Sequence, residues 1–427
     1  MRLTFAALAT RNYRLFATGS LVSNVGTWMQ RVAQDWLILT LTGSAGALGL
    51  TTGLQFLPML LFSPIAGVVA DRYAKRRVLM ITQVVLGLSA ATLGLLAVTG
   101  TAQPWHVYAL AFVFGTGAAF DVPARQSFVN EMVGPERLVN AVALNSAAFN
   151  LARMIGPALA GLLIAWLGSG VTATGWVILV NATTYAAVIV SLTRMRTSEL
   201  TPSAPIGRGR GQLREGIAYV RRRPDLLLVM AVVFVTGTFG LNFQMTTALM
   251  ATEVYDKGAG EYGVLGSIIA IGSLAGSLLA ARRIRSRQRL IIVAAVAFGS
   301  IELVAGLMPT YLTFAAVLPL CGFAALTVIT AANAFVQMSV DAHVRGRVMA
   351  LYMAIFMGGT PFGSPLLGWV ADQFGARWTL IGGGALTVLG TLAAGAVFGR
   401  RQGVVVSTQL RPMPRVWITG GQAPDVT

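Results

Sequence analysis

A nine-residue pattern occurs twice in this chain, as Phe16-Ala-Thr-Gly-Ser-Leu-Val-Ser-Asn24 and as Phe234-Val-Thr-Gly-Thr-Phe-Gly-Leu-Asn242. Both copies lie in long apolar stretches, and each copy opens one half of the sequence. A second pair of similar blocks, at 143–161 and 350–368, follows in the same order. Repeated blocks in a fixed order indicate duplication of one unit. In an apolar chain they are typical of a membrane protein built from two related bundles.

The composition agrees with a membrane protein. Hydrophobic residues make up 55% of the chain and charged residues only 11%, whereas a soluble domain carries about 25% charged residues. With about 20 apolar residues per span, the sequence predicts an all-α integral membrane protein with twelve transmembrane helices in two pseudo-symmetric six-helix bundles. The predicted parts are an N-terminal bundle (1–193), a cytoplasmic linker with an amphipathic helix (194–225), a C-terminal bundle (226–400) and a disordered cytoplasmic tail (401–427).

The distribution of charge predicts the orientation in the membrane. The net charge is +17, and most Arg and Lys residues fall in the N-terminus, the even-numbered loops and the tail. The positive-inside rule therefore predicts a cell-membrane protein with both termini in the cytoplasm. We expect these charges to face anionic lipid headgroups rather than nucleic acid. The chain contains one Cys, two distant His and no Walker loop, HExxH or C-x-x-C motif, so we predict no enzyme activity, no cofactor and no metal site.

The loop between the second and third predicted spans reads Gly67-Val-Val-Ala-Asp-Arg-Tyr-Ala-Lys-Arg76. It resembles the loop signature of the major facilitator superfamily, with Ala74 where the signature has glycine. The resemblance implies that the carboxylate docks near the start of the eleventh span and that the arginines bridge to a carboxylate on the fourth. Plain positive-inside anchoring is the alternative, and it leaves the carboxylate unexplained. The predicted conformational latch comprises Gly67, Asp71, Arg72, Arg76 and Asp121.

The stretches 120–126, 140–157 and 214–225 closely resemble the transmembrane secretion effector branch of that superfamily. The resemblance implies a monomeric secondary transporter that exports a small amphipathic organic compound (a drug, secondary metabolite or siderophore) by alternating access, with protons as the coupling ion. Ala111 stands where proton–drug exporters carry an arginine, which sets this chain apart from a simple copy of their mechanism. Transport of lysophospholipids or other lipids, and a scaffold or sensor that does not transport, are the alternatives.

Part of this resemblance is a motif in the fifth span, Gly156-Pro157 followed by Gly161, which is similar to the antiporter motif of drug exporters. Proline removes a hydrogen bond within the helix and glycine leaves room for a neighbour. We therefore expect the fifth span to bend and to pack closely at these residues.

Charged residues inside predicted spans are functional candidates because they are costly to bury in a membrane. Arg31 and Asp35 are four residues apart, and we expect them to pair, either as an outer gate whose carboxylate titrates or as a structural element. The repeat matches Asp35 to Glu253. Arg153 could bind an anionic group of the substrate or neutralise an internal carboxylate, and Glu302 lies on a span that is peripheral in the superfamily. Further polar residues predicted to line the substrate cavity are Asn145, Asn150 and Asn242.

Overall fold

The computed structural model describes residues 5–201, 212–281, 287–341, 343–401, 405–409 and 415–419. The first half of the chain forms six long helices: α1 (Arg11–Thr42), α2 (Ala45–Arg72), α3 (Lys75–Val98), α4 (Pro104–Met132), α5 (Pro135–Trp166) and α6 (Val171–Thr193).

The second half begins with the short helix α7 (Gln212–Arg221). The helices that follow are α8 (Pro224–Val235), α9 (Phe243–Leu249), α10 (Ala259–Ala281), α11 (Gln288–Gly306), α12 (Tyr311–Ser339), α13 (Arg345–Gly358), α14 (Thr360–Phe374) and α15 (Arg377–Arg401). The pair α8 and α9, with two π-helical turns, forms one span, Pro224–Val254. The pair α13 and α14 forms another, Arg345–Phe374.

The turn between α1 and α2 shows how local sequence ends one span and starts the next. Gly43 takes a left-handed conformation (φ 60°), and its N–H donates to the Leu39 carbonyl, which closes α1. Ser44 then accepts a hydrogen bond from the Ala47 N–H as the N-cap of α2. Glycine after the last turn and serine at the N-cap are the residues that these two positions favour. So short a connection makes α1 and α2 antiparallel.

The helices pack as two bundles. Within the first half α1 contacts α5 and α6, and α3 contacts α4 and α6; within the second, α12 contacts α10 and α11, and α15 contacts α8 and α11. The bundles meet along two helix pairs, α2 with α14 and α5 with α10. We term the side on which α1 begins and α15 ends the terminal side, and the side of the Gly43 turn the distal side.

Eleven helices among the described residues are long and apolar enough to cross a membrane. Helix α1, with 32 residues, is not one of them. It is long enough, but it carries Arg11, Arg14, Arg31 and Asp35. The described helices therefore agree with the predicted all-α fold, and the twelfth span remains a prediction that rests on α1.

Two spans of the second half are interrupted where the membrane centre would lie. Thr236–Gly240 forms a π-helical turn between α8 and α9, and Gly359 separates α13 from α14. The two breaks face each other, because a side chain on Gly359 would meet the backbone N and the hydroxyl of Thr238, each 2.7 Å away. Irregular backbone at this depth is tolerated only inside the protein or beside a cavity.

Helix α7 packs against the second bundle. Arg347 on α13 forms an ion pair of 2.5 Å with Glu215, and Val220 is buried. At the junction with α8, Arg223 donates two hydrogen bonds to Asp225, of 2.8 and 2.6 Å, and these raise the pKa of Arg223. The amphipathic helix predicted for the linker is therefore present, with its apolar face partly covered by protein.

The tail differs from its prediction. The segments β1 (Val405–Gln409) and β2 (Arg415–Thr419) pair as an antiparallel two-stranded sheet, where the sequence predicted disorder over 401–427. The β-branched residues of Val-Val-Ser-Thr and Val-Trp-Ile-Thr favour strands, and the prediction gave them too little weight. The remaining tail residues lie outside the described ranges.

Candidate functional site

A cavity of about 330 Å³ lies between the two bundles, midway along the helices. This volume falls within the range of about 300–1,000 Å³ typical of small-molecule sites. The first bundle lines it with residues of α1, α2 and α5, and the second with residues of the span Pro224–Val254, α10, α12 and the interrupted span Arg345–Phe374. Representative lining residues are Trp28, Arg31, Phe56, Arg153, Pro157, Gly237, Asn242, Gln244, Tyr262, Ile329, Phe356 and Thr360.

Two guanidinium groups of the first bundle reach this cavity. The Arg31 guanidinium lies over the Trp28 ring, 4.7 Å from its centroid, and 5.5 Å from the Phe56 ring centroid. Its Nε is buried, as are Nε and Nη2 of Arg153, and none of these atoms has a hydrogen-bond partner in the described part of the chain. Charged donors buried without an acceptor are costly. The cavity is therefore electropositive and has free donors.

Asp35 does not form the predicted ion pair with Arg31 in the described structure; its carboxylate turns to the second bundle instead. One of its oxygens accepts hydrogen bonds from Gln244 Nε2 at 2.6 Å and from the Tyr262 hydroxyl at 2.7 Å. Spacing along α1 allows the ion pair, but spacing carries no information about donors on other helices. Asp35 is buried, with 2% of its surface exposed, and it connects α1 to α9 and α10.

The second bundle contributes its broken backbone and amide side chains. Asn242 lines the cavity and follows the π-helical turn. Its amide nitrogen donates to the Thr238 carbonyl at 2.8 Å, and its oxygen accepts from the Ser364 hydroxyl at 2.8 Å. Asn242 thus supplies a hydrogen-bond donor to a backbone carbonyl at the break and links α9 to α14.

Two residues predicted for the cavity, Asn145 and Asn150, lie elsewhere, and so does Glu253, which the repeat matches to Asp35. Asn145 accepts a hydrogen bond from the Tyr13 hydroxyl at 3.1 Å, and Asn150 donates to the Ser146 carbonyl of its own helix. Glu253 lines a separate distal-side pocket. These differences have one cause: the sequence identifies polar residues on a span, but packing decides which face of the helix meets the other bundle.

The predicted latch residues are arranged differently from the expectation. Asp121 forms an ion pair of 2.8 Å with Arg125, on its own helix, and accepts hydrogen bonds from Thr82 and Gln83. Arg76 donates to the Leu192 carbonyl at 2.7 Å. Between α3 and α4 the described ion pair is instead Lys75 with Glu131, at 2.7 Å.

The other three latch residues lie near the end of α2. Gly67 and Asp71 are in its last turns, and Arg72, its last residue, is exposed. Asp71 also interacts with another group in the structure.

The helix-packing motif of α5 lies at two interfaces. A side-chain carbon on Gly156 would meet Trp28 of α1, and one on Gly161 would meet the Ala259 carbonyl and Gly263 of α10. Pro157 is inside α5 and faces α10 at Gly263 and Gly266. Glycine at these positions lets α5 approach one helix of its own bundle and one helix of the other.

An interaction that the sequence analysis missed joins the bundles on the distal side. The Asp372 carboxylate, at the end of α14, accepts hydrogen bonds from the N–H groups of Ala45 (2.8 Å) and Gly46 (2.9 Å) and from the Ser44 hydroxyl (3.1 Å). A carboxylate at a helix N-terminus is stabilised by the free N–H groups there. A repeat in the sequence could have pointed to Asp372. Gly368-Trp-Val-Ala-Asp372 matches Gly67-Val-Val-Ala-Asp71 at four of five positions.

Known proteins resemble this chain over nearly its whole length. The family model for the transmembrane secretion effector matches residues 3–407. The multidrug efflux pump Tap of Mycolicibacterium fortuitum is 29% identical, with 86% of this chain and 90% of that protein covered. The staphyloferrin A transporter of Staphylococcus aureus is 25% identical (85% and 90% covered). Macrolide efflux protein A of Streptococcus pyogenes is 23% identical (87% and 92% covered).

Solved structures agree on the fold. A bacterial homologue of the human lysosomal transporter Spinster, in an inward-facing and occupied conformation, superposes with a TM-score of 0.71 at 16% identity, covering 92% of this chain and 97% of that one. A D-xylose–proton symporter superposes with a TM-score of 0.66 at 14% identity, with coverages of 89% and 97%. The match over residues 3–407 decides the family: this chain is a membrane transporter that belongs to the transmembrane secretion effector family of the major facilitator superfamily.

Proposed function

We propose that the protein is a proton-coupled exporter of small amphipathic organic compounds and that it works by alternating access. The observation that carries this proposal is the cavity between the bundles, together with the contacts that close it on the distal side. Those contacts are Asp35 with Gln244 and Tyr262, Asp372 with the start of α2, and the glycine contacts of α5 with α10. Rocking of one bundle against the other exposes such a site to each side in turn.

Asp35 is the proposed coupling group. It is a buried carboxylate, and its two described hydrogen bonds come from the opposite bundle. Hydrogen bonds to an ionised carboxylate are roughly twice as strong as neutral ones. A proton on Asp35 therefore weakens the contact between α1 and the second bundle, and the stability of the closed distal side depends on that proton. This dependence is what coupling of proton binding to alternating access requires.

The orientation is proposed from the distribution of charge, and the direction of transport from the relatives. The Arg and Lys residues cluster on the terminal side, which the positive-inside rule assigns to the cytoplasm. The described state then has its external side closed, as an inward-facing transporter does. Export is supported by the two efflux proteins among the relatives, the pump Tap and macrolide efflux protein A. We propose a monomer in the cell membrane with both termini in the cytoplasm.

The proposal is tested by expressing the chain in a host that lacks its major efflux pumps and measuring tolerance and accumulation for a panel of amphipathic compounds. We expect lower accumulation for at least one compound, and a protonophore should abolish the difference. Asp35→Asn keeps the size of the side chain but removes the titrating charge. We expect it to reduce proton-dependent export at least tenfold at equal expression.

Glu253→Gln is the matched control, because the repeat places Glu253 at the position of Asp35 but Glu253 lines the distal-side pocket and has no described hydrogen bond to the other bundle. The control should retain export within about twofold. Equal, protonophore-sensitive export by the wild type and Asp35→Asn would contradict the role of Asp35. An expressed protein that exports no compound of the panel would contradict the function itself.

A further inference from the structure

The cavity has an unusual balance of charge. Arg31 and Arg153 both line it, and both contribute buried guanidinium nitrogens without a hydrogen-bond partner among the described residues. None of the described lining residues is Asp or Glu. The site therefore presents two positive charges and several free N–H donors, and no acidic side chain on its described walls balances them.

The nearest candidate counterion on the same helix is already engaged. Asp35 lies one turn from Arg31 and attracts it electrostatically. The Asp35 carboxylate nevertheless accepts two hydrogen bonds from the other bundle and forms no close ion pair with Arg31 among the described residues. The lining elements carry six further carboxylates, and none of them lines the cavity: Asp71, Glu136, Asp225, Glu253, Glu261 and Asp372. Glu253 lines the distal pocket and Asp372 caps α2. The carboxyl group of Glu302 is fully buried beside Gly240 and Gly383, outside the set of lining residues.

The rest of the cavity wall is apolar and aromatic. Trp28 and Phe56 flank Arg31, and Phe243 and Phe356 line the cavity from the second bundle. The polar groups of the opposite wall are uncharged amides and hydroxyls, such as Asn242 and Gln244. A ligand that matches this wall has an apolar, preferably aromatic, body and an anionic end.

We propose that the transported compound is an amphipathic organic anion whose acidic group, a carboxylate or a group of equivalent charge and geometry, binds Arg31 and Arg153. The planar fork of a guanidinium pairs with a carboxylate through two parallel hydrogen bonds. Binding of an anion gives these buried donors acceptors. The inference rests on the proposed export function, because it names the substrate of the same cavity. It separates this protein from a pump whose site is built for cationic drugs.

The test compares ligands that share a skeleton and differ in charge. Dansylglycine (anion), dansylamide (neutral) and dansylcadaverine (cation) form one series, and indole-3-acetate, indole-3-acetamide and tryptamine form a second. Binding of the dansyl series to purified protein in a nonionic detergent is followed by dansyl emission. The indole series is followed by the thermal unfolding midpoint, reported by a thiol-reactive dye, because the single cysteine, Cys321, is buried and reacts only on unfolding.

We expect the anion of at least one series to bind the wild type about tenfold or more tightly than its neutral and cationic partners. Arg31→Gln and Arg153→Gln should each weaken anion binding about tenfold or more, as expected for loss of hydrogen bonds between charged groups. The neutral compound should be affected little. Arg153→Lys keeps the charge but loses the fork, and we expect it to be intermediate. Arg137→Gln, on the terminal side and outside the lining residues, is the control.

Three outcomes overturn the inference: tighter binding of the cations, equal binding of anion and amide, or unchanged anion binding in the Arg31→Gln/Arg153→Gln double variant. Failure of every ligand to bind folded wild-type protein also counts against it. The export function is judged separately, by transport of the bound compounds in proteoliposomes with a proton gradient. Export of cations alone would contradict the proposed anion site but support the proposed export function. Anion binding without transport would support the anion site but contradict the export function.

Discussion

The first spans of the two halves share the nine-residue pattern but differ in structure. In the first half the pattern lies within the continuous helix α1. In the second half it contains the π-helical turn Thr236–Gly240, and Asn242 begins a new helix. One sequence difference stands out, because Gly240 takes the place of Val22. At Gly240 the backbone approaches Phe298 and Glu302 of α11 closely, whereas Val22 is exposed on the surface of its bundle.

The two bundles therefore contribute different features to the site. The first bundle supplies continuous helices that present charged side chains, Arg31, Asp35 and Arg153. The second bundle supplies two interrupted spans whose breaks face each other beside the cavity, with Asn242 satisfying the freed backbone. Its own fully buried carboxyl group, that of Glu302, lies outside the cavity lining. A duplicated scaffold can therefore keep one topology while its halves specialise, one in charge and the other in backbone irregularity.

The largest effect is expected at Asp372, through which the second bundle holds the start of α2 and keeps the distal side closed. Asp372→Ala removes the acceptor for two N–H groups and a hydroxyl of α2. Loss of such a cap costs about 1–3 kcal/mol, which shifts the balance toward a state open on the distal side about 5- to 150-fold. We expect a cysteine at the cavity position, Thr247→Cys in a Cys321→Ala background, to react faster with an impermeant maleimide applied from the distal side.

Glu261→Ala is the matched control, since it removes another carboxylate of the distal side that makes no described contact with the first bundle. Its labelling rate should equal that of the parent. If Asp372→Ala also left the rate unchanged, the described cap would not be what keeps the distal side closed.

A medium effect is expected from exchanging the residues that distinguish the two copies. Gly240→Val forces a branched side chain against Phe298 and against the Glu302 carboxyl group, 3.1 Å from the added carbon. Overpacking of this kind destabilises by about 1–3 kcal/mol, so we expect a lower unfolding temperature in the Cys321 assay. The reciprocal change, Val22→Gly, should cost only about 1 kcal/mol or less, as glycine does within an exposed helix. Equal costs for the two changes would show that the break in the second copy does not depend on Gly240.

The smallest effect on transport is expected at Glu302. Both of its carboxyl oxygens are buried without a hydrogen-bond partner among the described residues, and an ionised carboxylate in such surroundings is costly. Glu302→Gln removes the possibility of charge and nearly keeps the shape. We expect proton-dependent export within about twofold of the wild type and an unfolding temperature that is unchanged or higher. If Glu302→Gln lost coupling as completely as Asp35→Asn, the second bundle would also carry a coupling group. That result would contradict the assignment of the coupling charge to the first bundle alone.

The sequence predicted large features better than pairings. The helical membrane fold and the family followed from composition, the repeat and the motifs, and the family match confirms them. Arg31 and Asp35 attract each other electrostatically but form no close ion pair among the described residues. The hydrogen-bond donors to Asp35, Gln244 and Tyr262, come from the other bundle, far along the chain. Asn145 joined a neighbouring helix instead of the cavity, through a hydrogen bond of 3.1 Å from the Tyr13 hydroxyl.

By itself, the sequence determined that the chain is helical and apolar, that it is duplicated, and which residues carry charge inside the spans. These properties are local, since a helix in a membrane satisfies its own backbone and needs only a long enough apolar run. The tertiary structure alone decided which side chains meet. It turned Asp35 to the second bundle, placed Asp372 on the start of α2 and left Arg31 and Arg153 with unpaired donors at the cavity. The physical reason is that the rotation of each helix, set by packing against its neighbours, selects the face that reaches the site.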